Sequence, residues 1–117
     1  MTYFLAPFVN SYKRFVAGSF APTNLVWSRD NRTSGFRVLG HGAGTRIECR
    51  VGGADVNPYL GFAAFLAAGL HGIERGLPLQ PEFQGDAYKS GDIPSVPATL
   101  HDAVDRALAF PVLCGSA

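Results

Sequence analysis

The sequence predicts an α+β domain in which an antiparallel hairpin is combined with helices. Three features support this class: two alternating segments around a glycine-rich connector, a long apolar segment opened by Asn-Pro, and a short amphipathic segment near the C-terminal end. The 117 residues are 47% apolar and 16% charged, a composition typical of globular proteins and not of disordered ones. This length fits a single domain with one core.

The hairpin is predicted from residues 36–39 and 45–51, which flank the connector Gly40–Gly44 (GHGAG). The second segment alternates charged and apolar residues, so one face should carry Arg46, Glu48 and Arg50 and the opposite face Ile47, Cys49 and Val51. We therefore expect Cys49 to be a buried, inert thiol.

A long helix is predicted to begin after Asn57, which can cap it, with Pro58 at its first position. It should end near Glu74 or Arg75, because Gly76 and Pro78 follow. The helix is apolar on nearly every side, which indicates burial around most of its circumference. Its apolar run has 16 residues and is diluted by glycines, whereas a membrane-spanning helix needs about 20 apolar residues.

The remaining elements are shorter. Residues 10–14 should form a helical turn, and residues 17–22 and 76–98 irregular loops, since both contain Gly and Pro. Thr99 is predicted to cap a last amphipathic helix, with Asp102 at its third position. The chain then ends in the apolar residues 110–113 without an obvious cap, which suggests a truncation.

Charge is distributed unevenly along the chain. Residues 1–53 carry seven Lys or Arg and two acids, and residues 54–117 carry three and seven, for a total of +1. The near-zero total argues against a nucleic-acid-binding protein, and the arginine-rich first part indicates a local anion site. Two cysteines without metal-type spacing and the lack of a signal-peptide pattern favour a cytoplasmic protein.

The charged strand is the main functional candidate. With Arg32 and Arg37 just upstream, it concentrates four arginines and one carboxylate on one hairpin. Arg presents a planar fork that suits carboxylates and phosphates. Glu48 could hold these arginines in place or bind a cation that bridges to a phosphate. The residues alone predict an anion site for phosphate and a divalent metal, against the alternative of a solvated sheet face with ion pairs.

Several separate motifs, in order, resemble the catalytic domain of the glutamine synthetase family. They are Asn10–Arg14 (NSYKR), Ala21-Pro22, Trp27, Asn31–Thr33 (NRT), Arg37-Val38, Arg46–Arg50 (RIECR), Asn57–Leu60 (NPYL) and Ala67–Ile73 (AAGLHGI). The resemblance is close over residues 7–75 and looser over 76–109. It identifies residues 1–117 as part of that catalytic domain, an incomplete piece of its half-barrel sheet, without the family's N-terminal β-grasp domain.

This resemblance implies an ATP-dependent ligase that joins glutamate to ammonia or a larger amine through a γ-glutamyl phosphate. Arg14 and Arg50 would hold glutamate, Arg32 would be catalytic at the transferring phosphoryl group, and Arg37 and Arg46 would bind the nucleotide. Glu48 would ligate Mg²⁺ or Mn²⁺. The whole enzyme would be a cytoplasmic homo-oligomeric ring with no nucleic-acid or membrane partner.

The chain departs from the family pattern in two respects. Phe20 stands where ammonia-using bacterial members carry a glutamate, which favours a larger amine, as in the γ-glutamylpolyamine and γ-glutamylamine ligases. Most of the family's metal-binding residues are absent, so we expect this chain alone to be inactive. Two alternatives stay open: a non-catalytic anion- or nucleotide-binding module, and an unrelated α+β domain whose arginines form surface ion pairs.

Overall fold

The computed structural model describes residues 1–109, so the apolar end at 110–113 and Cys114 lie outside the described part. These described residues form three α-helices and three strands: α1 (Thr2–Leu5), β1 (Trp27–Arg29), β2 (Phe36–Leu39), β3 (Arg46–Cys49), α2 (Pro58–Glu74) and α3 (Leu100–Leu108). Two 3-10 turns, Val9–Arg14 and Gly42–Gly44, complete the regular structure of these residues. The predicted α+β class is confirmed.

The chain divides into two compact units. The first contains Met1–Tyr12, Gly52–Leu79 and the described residues from Pro97 onward, and the second contains Lys13–Val51 and Gln80–Val96. The helices belong to the first unit, and the sheet belongs to the second.

In the first unit, α2 begins and ends where the sequence predicts, and α3 begins where the sequence predicts. The Asn57 side chain accepts hydrogen bonds from the backbone N–H groups of Tyr59 and Leu60, and Pro58 occupies the first position of α2. The Thr99 side chain accepts from the Asp102 N–H at the start of α3. Helix α1, which the sequence pattern did not predict, contacts both α2 and α3.

The predicted burial of α2 is wrong for the described chain. Only Gly61 and Ala64 of this helix are buried. Large apolar side chains along it are more than half exposed: Tyr59, Leu60, Phe62, Leu66, Leu70 and Ile73. The physical reason is that α1, a four-residue helix, is too short to cover a helix of 17 residues. Among residues 1–109, no helix has the length and apolar character needed to cross a membrane.

The second unit contains a three-stranded sheet in the order β1-β2-β3. Strands β2 and β3 form the predicted antiparallel hairpin, in which Arg37 is paired with Glu48. Gly40 in the connector has a φ of +78°, and a Cβ there would lie 2.2 Å from the Gly44 carbonyl oxygen, so only glycine fits. Strand β1, which was not predicted, runs parallel to β2.

A buried asparagine connects the start of the sheet to the turn that precedes β2. Asn24 is 1% exposed, and its side chain donates to the Thr33 carbonyl at 3.0 Å and accepts from the Gly35 N–H at 3.2 Å. Residues 76–98 are irregular, as predicted, except for an isolated bridge between Ser95 and Asn24. This framework fixes the turn at residues 31–35, which carries Arg32.

Candidate active site

The hairpin brings Glu48 between two arginines. Arg37 Nη1 lies 3.4 Å from Glu48 Oε2, and Arg50 Nε lies 3.8 Å from the same oxygen. The predicted placement of Glu48 and Arg50 on one side of the strand agrees with this contact. Val51 is fully buried, whereas Ile47 is 60% exposed and Cys49 is only partly buried. The expected burial of the Cys49 thiol is therefore wrong, because this face of the hairpin is only partly covered.

Asp30 is a site residue that the sequence analysis missed. Arg37 Nη2 donates a hydrogen bond to Asp30 Oδ1, so Arg37 is held between the carboxylates of Asp30 and Glu48. The hydrogen bond from Arg37 lowers the pKa of Asp30 below its ordinary value, and the same bond raises the pKa of Arg37. The signal available in the sequence was the position of Asp30, directly before the NRT motif in a segment poor in acids.

Arg37, Glu48 and Arg50 help to line a pocket of about 270 Å³, whereas Asp30 contacts Arg37 from outside its lining. Its lining residues are Phe20, Arg32, Arg37, Glu48 and Arg50. Three arginines against one glutamate make the pocket electropositive, which favours an anionic ligand. Their guanidinium groups can form paired hydrogen bonds with a carboxylate or a phosphate.

Phe20 contributes an apolar surface to this pocket and has an unusual backbone. Its side chain is 79% exposed, and its φ is +62°, a region that residues other than glycine rarely adopt. Arg50 Nη2 donates a hydrogen bond of 2.9 Å to the Phe20 carbonyl. The strained residue is therefore tied to one of the pocket arginines.

Two guanidinium nitrogens in the pocket residues still lack an acceptor. Arg37 Nε and Arg50 Nη1 are buried and have no hydrogen-bond partner among residues 1–109. A buried N–H group without an acceptor costs about 1–3 kcal/mol. An acceptor from outside the described residues, such as an anion, would relieve this cost.

Arg32 lies on a rigid turn. Asn31 Oδ1 accepts hydrogen bonds from the Thr33 N–H at 2.9 Å and the Thr33 hydroxyl at 2.7 Å. The hydroxyl of Ser34, which is fully buried, donates to the Asn31 carbonyl. This Asx-type turn holds the backbone while the Arg32 side chain is exposed.

Two of the predicted arginines are not among the residues that line the pocket. Arg14 donates to the Val51 carbonyl, and its guanidinium lies 5.0 Å from the Phe15 ring centroid. Arg46 is exposed at the far end of β3, with Nη1 3.5 Å from the Gly44 carbonyl. The structure therefore brings together Arg32, Arg37, Glu48 and Arg50, and places Arg14 and Arg46 elsewhere in the second unit.

A larger pocket of about 430 Å³ lies at the turn of the hairpin, where Arg29, Asp30, His41 and Thr45 are among its lining residues. Its one arginine is opposed by one aspartate, so it lacks the excess positive charge of the smaller pocket. The smaller pocket is the better candidate for an anion site.

Among residues 1–109, Glu48 supplies the only carboxylate that lines the smaller pocket. Within residues 1–109, no group of three or more His, Cys, Asp or Glu side chains is placed to hold a metal ion. Mg²⁺ is commonly bound by one or two carboxylates together with substrate phosphates. Glu48 thus fits as one ligand of such an ion, whose other ligands would have to come from outside the pocket lining.

Comparison with known proteins decides the family. The sequence profile described as "Glutamine synthetase, catalytic domain" matches residues 1–110. The chain belongs to the glutamine synthetase family. This confirms the resemblance found in the motifs, and members of the family are ligases.

Curated relatives in this family include ligases for several amines. The chain is 54% identical over 100 residues to a γ-glutamylethanolamide synthetase of Streptomyces coelicolor, covering 86% of this chain and 21% of that protein. It is 46% identical over 91 residues to the γ-glutamylputrescine synthetase of Escherichia coli (77% and 19%). It is 45% identical over 109 residues to a glutamine synthetase of Methanococcus voltae (86% and 24%).

Solved structures of the family share the fold. A structure of GmaS in complex with ADP has a TM-score of 0.83 at 36% identity, covering 97% of this chain and 28% of that one. The ligand-free GmaS structure has a TM-score of 0.85 at 38% identity, covering 97% and 26%. The chain therefore spans between 19% and 28% of the length of these relatives.

Proposed function

We propose that the chain is part of the catalytic domain of an ATP-dependent glutamate–amine ligase that acts through a γ-glutamyl phosphate. The observation that carries this proposal is the single pocket that Arg32, Arg37, Glu48 and Arg50 line together with Phe20. Membership in a ligase family supplies the reaction class, and the pocket supplies groups suited to its charged intermediates.

The proposed reaction has two steps. First, a γ-carboxylate oxygen of glutamate attacks the terminal phosphorus of ATP, and ADP leaves. Second, the amine nitrogen attacks the acyl carbon, the C–O bond to phosphate breaks, and a proton from the nitrogen leaves with the phosphate. Negative charge is concentrated on the phosphoryl oxygens in both steps, and fixed cationic groups around them lower the barrier.

The arginines are assigned by motif. Arg32 would be catalytic, contacting the phosphoryl group as it is transferred. Arg37 and Arg46 would bind the nucleotide phosphates, and Arg14 and Arg50 would hold glutamate. The unpaired buried nitrogens of Arg37 and Arg50 support an anionic partner for these two residues.

We assign Glu48 as the ligand that this segment gives to a divalent cation, Mg²⁺ or Mn²⁺. The cation would neutralise phosphate charge. In the described chain the Glu48 carboxylate also fixes the directions of Arg37 and Arg50 through its two ion pairs.

We propose that the amine substrate is larger than ammonia. Phe20 cannot accept a proton or balance an ammonium charge, but its ring can pack against methylene groups, each worth about 0.8 kcal/mol when buried. The named activities of two relatives, toward ethanolamine and putrescine, support this choice. The alternative, ammonia, applies if an acidic residue from another part of the polypeptide replaces the missing charge.

We place this segment in a longer cytoplasmic polypeptide that assembles into a homo-oligomeric ring. A second function, anion binding without turnover, is favoured for the 117-residue chain by itself, because residues 1–109 supply a single candidate metal ligand in the pocket.

The test is release of phosphate from ATP that depends on both glutamate and an amine, measured on the polypeptide that carries this segment at the length of its relatives. Arg32→Gln should lower kcat by about 100-fold or more, while Arg75→Gln, outside the pocket lining, should not. No dependence on glutamate, or equal effects of the two substitutions, would reject the proposal.

A further inference from the structure

One turn of the second unit contacts both loops that carry pocket residues. The Ala87 N–H donates a hydrogen bond of 2.9 Å to the hydroxyl of Thr33, the residue after Arg32. The Tyr88 hydroxyl donates a hydrogen bond of 2.9 Å to the carbonyl of Ala21, the residue after Phe20. Adjacent residues of this turn therefore hold the neighbours of Arg32 and Phe20.

The turn itself is well fixed. The Tyr88 N–H donates to Asp86 Oδ1 at 3.0 Å, and the Lys89 N–H donates to the Asp86 carbonyl at 3.1 Å. Ala87 is buried. Because these bonds fix the turn, the Tyr88 hydroxyl lies at a defined distance from the hydrogen bond between Ala87 and Thr33.

The backbone conformation of Phe20 depends on hydrogen bonds from neighbouring residues. A backbone with φ of +62° is unfavourable for a phenylalanine, and its exposed ring has little packing to hold it in place. Two consecutive carbonyls are held instead: that of Phe20 by Arg50 and that of Ala21 by Tyr88.

We propose that Tyr88 is a positioning residue that sets the spacing between the Phe20 ring and Arg32, and thereby the size of the amine that fits. The effect on amine size rests on the proposed function, in which the amine attacks the acyl carbon while Arg32 holds the phosphoryl group attached to it. A shorter or looser spacing would change which amines place their nitrogen at that carbon while the alkyl chain contacts Phe20.

The first test needs no ligand and uses the 117-residue chain. NMR should show a strong intraresidue amide-to-Hα cross-peak at Phe20, as a positive φ requires, and cross-peaks between its ring and Arg32. Tyr88→Phe removes one hydroxyl and should weaken both signals. Tyr59→Phe, on the exposed part of α2, is the matched control and should leave them unchanged. Unaltered Phe20 signals in Tyr88→Phe would overturn the positioning role.

The second test compares ligands on the same proteins. Inorganic phosphate should bind the parent chain and Tyr88→Phe with Kd values within about twofold, since no phosphate-binding arginine is changed. With phosphate present, the preference for n-butylammonium over methylammonium should fall by about threefold to tenfold, the effect of one neutral hydrogen bond. Equal losses for phosphate and amines would indicate general damage and overturn the proposal. A parent chain that binds neither phosphate nor amine would reject the proposed function, whereas the Phe20 signals still decide the positioning role.

Discussion

Arg37 and Glu48 are register partners across the β2–β3 hairpin, and Arg37 Nη1 lies 3.4 Å from Glu48 Oε2. Asp30 holds the other terminal nitrogen of the same guanidinium. The Arg37 side chain is only 14% exposed, whereas that of Asp30 is 78% exposed. A mostly buried cation between two carboxylates has a fixed direction, which is what an anion-binding arginine requires.

Asp30→Asn should weaken phosphate binding without unfolding the chain. The substitution keeps the size of the side chain and removes the charge that orients Arg37. Because Asp30 is exposed, the effect on stability should be small, while the Kd for inorganic phosphate should rise by about twofold to tenfold. Calorimetric titration of both proteins measures this. An unchanged Kd would show that Asp30 does not orient Arg37.

Stability should depend on pH through Asp30. Its pKa in the folded chain lies below the ordinary value of 3.8, owing first to the hydrogen bond from Arg37. The folded state therefore binds fewer protons than the unfolded state near and below pH 3.8, and the contribution of Asp30 is complete above that value and lost as pH falls through the lowered pKa. Urea denaturation from roughly pH 5 down to pH 3 should show a shallower decline in Asp30→Asn than in the parent chain. Parallel declines would contradict the assignment.

Asn24→Ala should destabilise the second unit. The substitution leaves the Thr33 carbonyl and the Gly35 N–H without their side-chain partner in a buried position, at a cost of about 2–4 kcal/mol. The single tryptophan, Trp27, lies in this unit and reports its unfolding by fluorescence. Asn10→Ala, at an exposed position, is the control. Equal midpoints of unfolding for the two variants would show that the Asn24 hydrogen bonds contribute little to stability.

The 117-residue chain by itself should show no ligase turnover. Metal-bridged phosphates need several oxygen ligands at once, and Glu48 is the one carboxylate that residues 1–109 place in the pocket lining. Phosphate release from ATP should stay at background with glutamate and either ammonium or ethanolamine. Release that requires both glutamate and an amine would overturn this prediction.

Local patterns in the sequence predicted the hairpin and the two longer helices, because alternation and capping residues act over a few positions. Strand β1 was not predicted, because it has only three residues and is defined by its parallel pairing with β2. Local sequence patterns do not show such pairing. The exposure of α2 was missed for a related reason: a hydrophobic sequence does not say which element covers it.

The sequence also predicted part of the candidate site. Strand alternation and the motifs pointed to Arg32, Arg37, Glu48 and Arg50, which the pocket brings together. The bond between Tyr88 and Ala21 joins residues 67 positions apart, and no local pattern indicates it. Arg14 and Arg46 lie within the motifs but do not line the pocket. Their side chains contact backbone carbonyls at the two ends of β3, and the motifs do not indicate these contacts.

Calorimetric titration of the 117-residue chain with ATP and Mg²⁺ tests the central claim most directly, namely that the three-arginine pocket is a site for phosphoryl groups. The parent chain and Arg75→Gln should bind ATP with equal affinity, and Arg32→Gln should bind about tenfold or more weakly, the loss of one charge-assisted contact. Absence of ATP binding by the parent chain, or equal binding by Arg32→Gln, would contradict the claim.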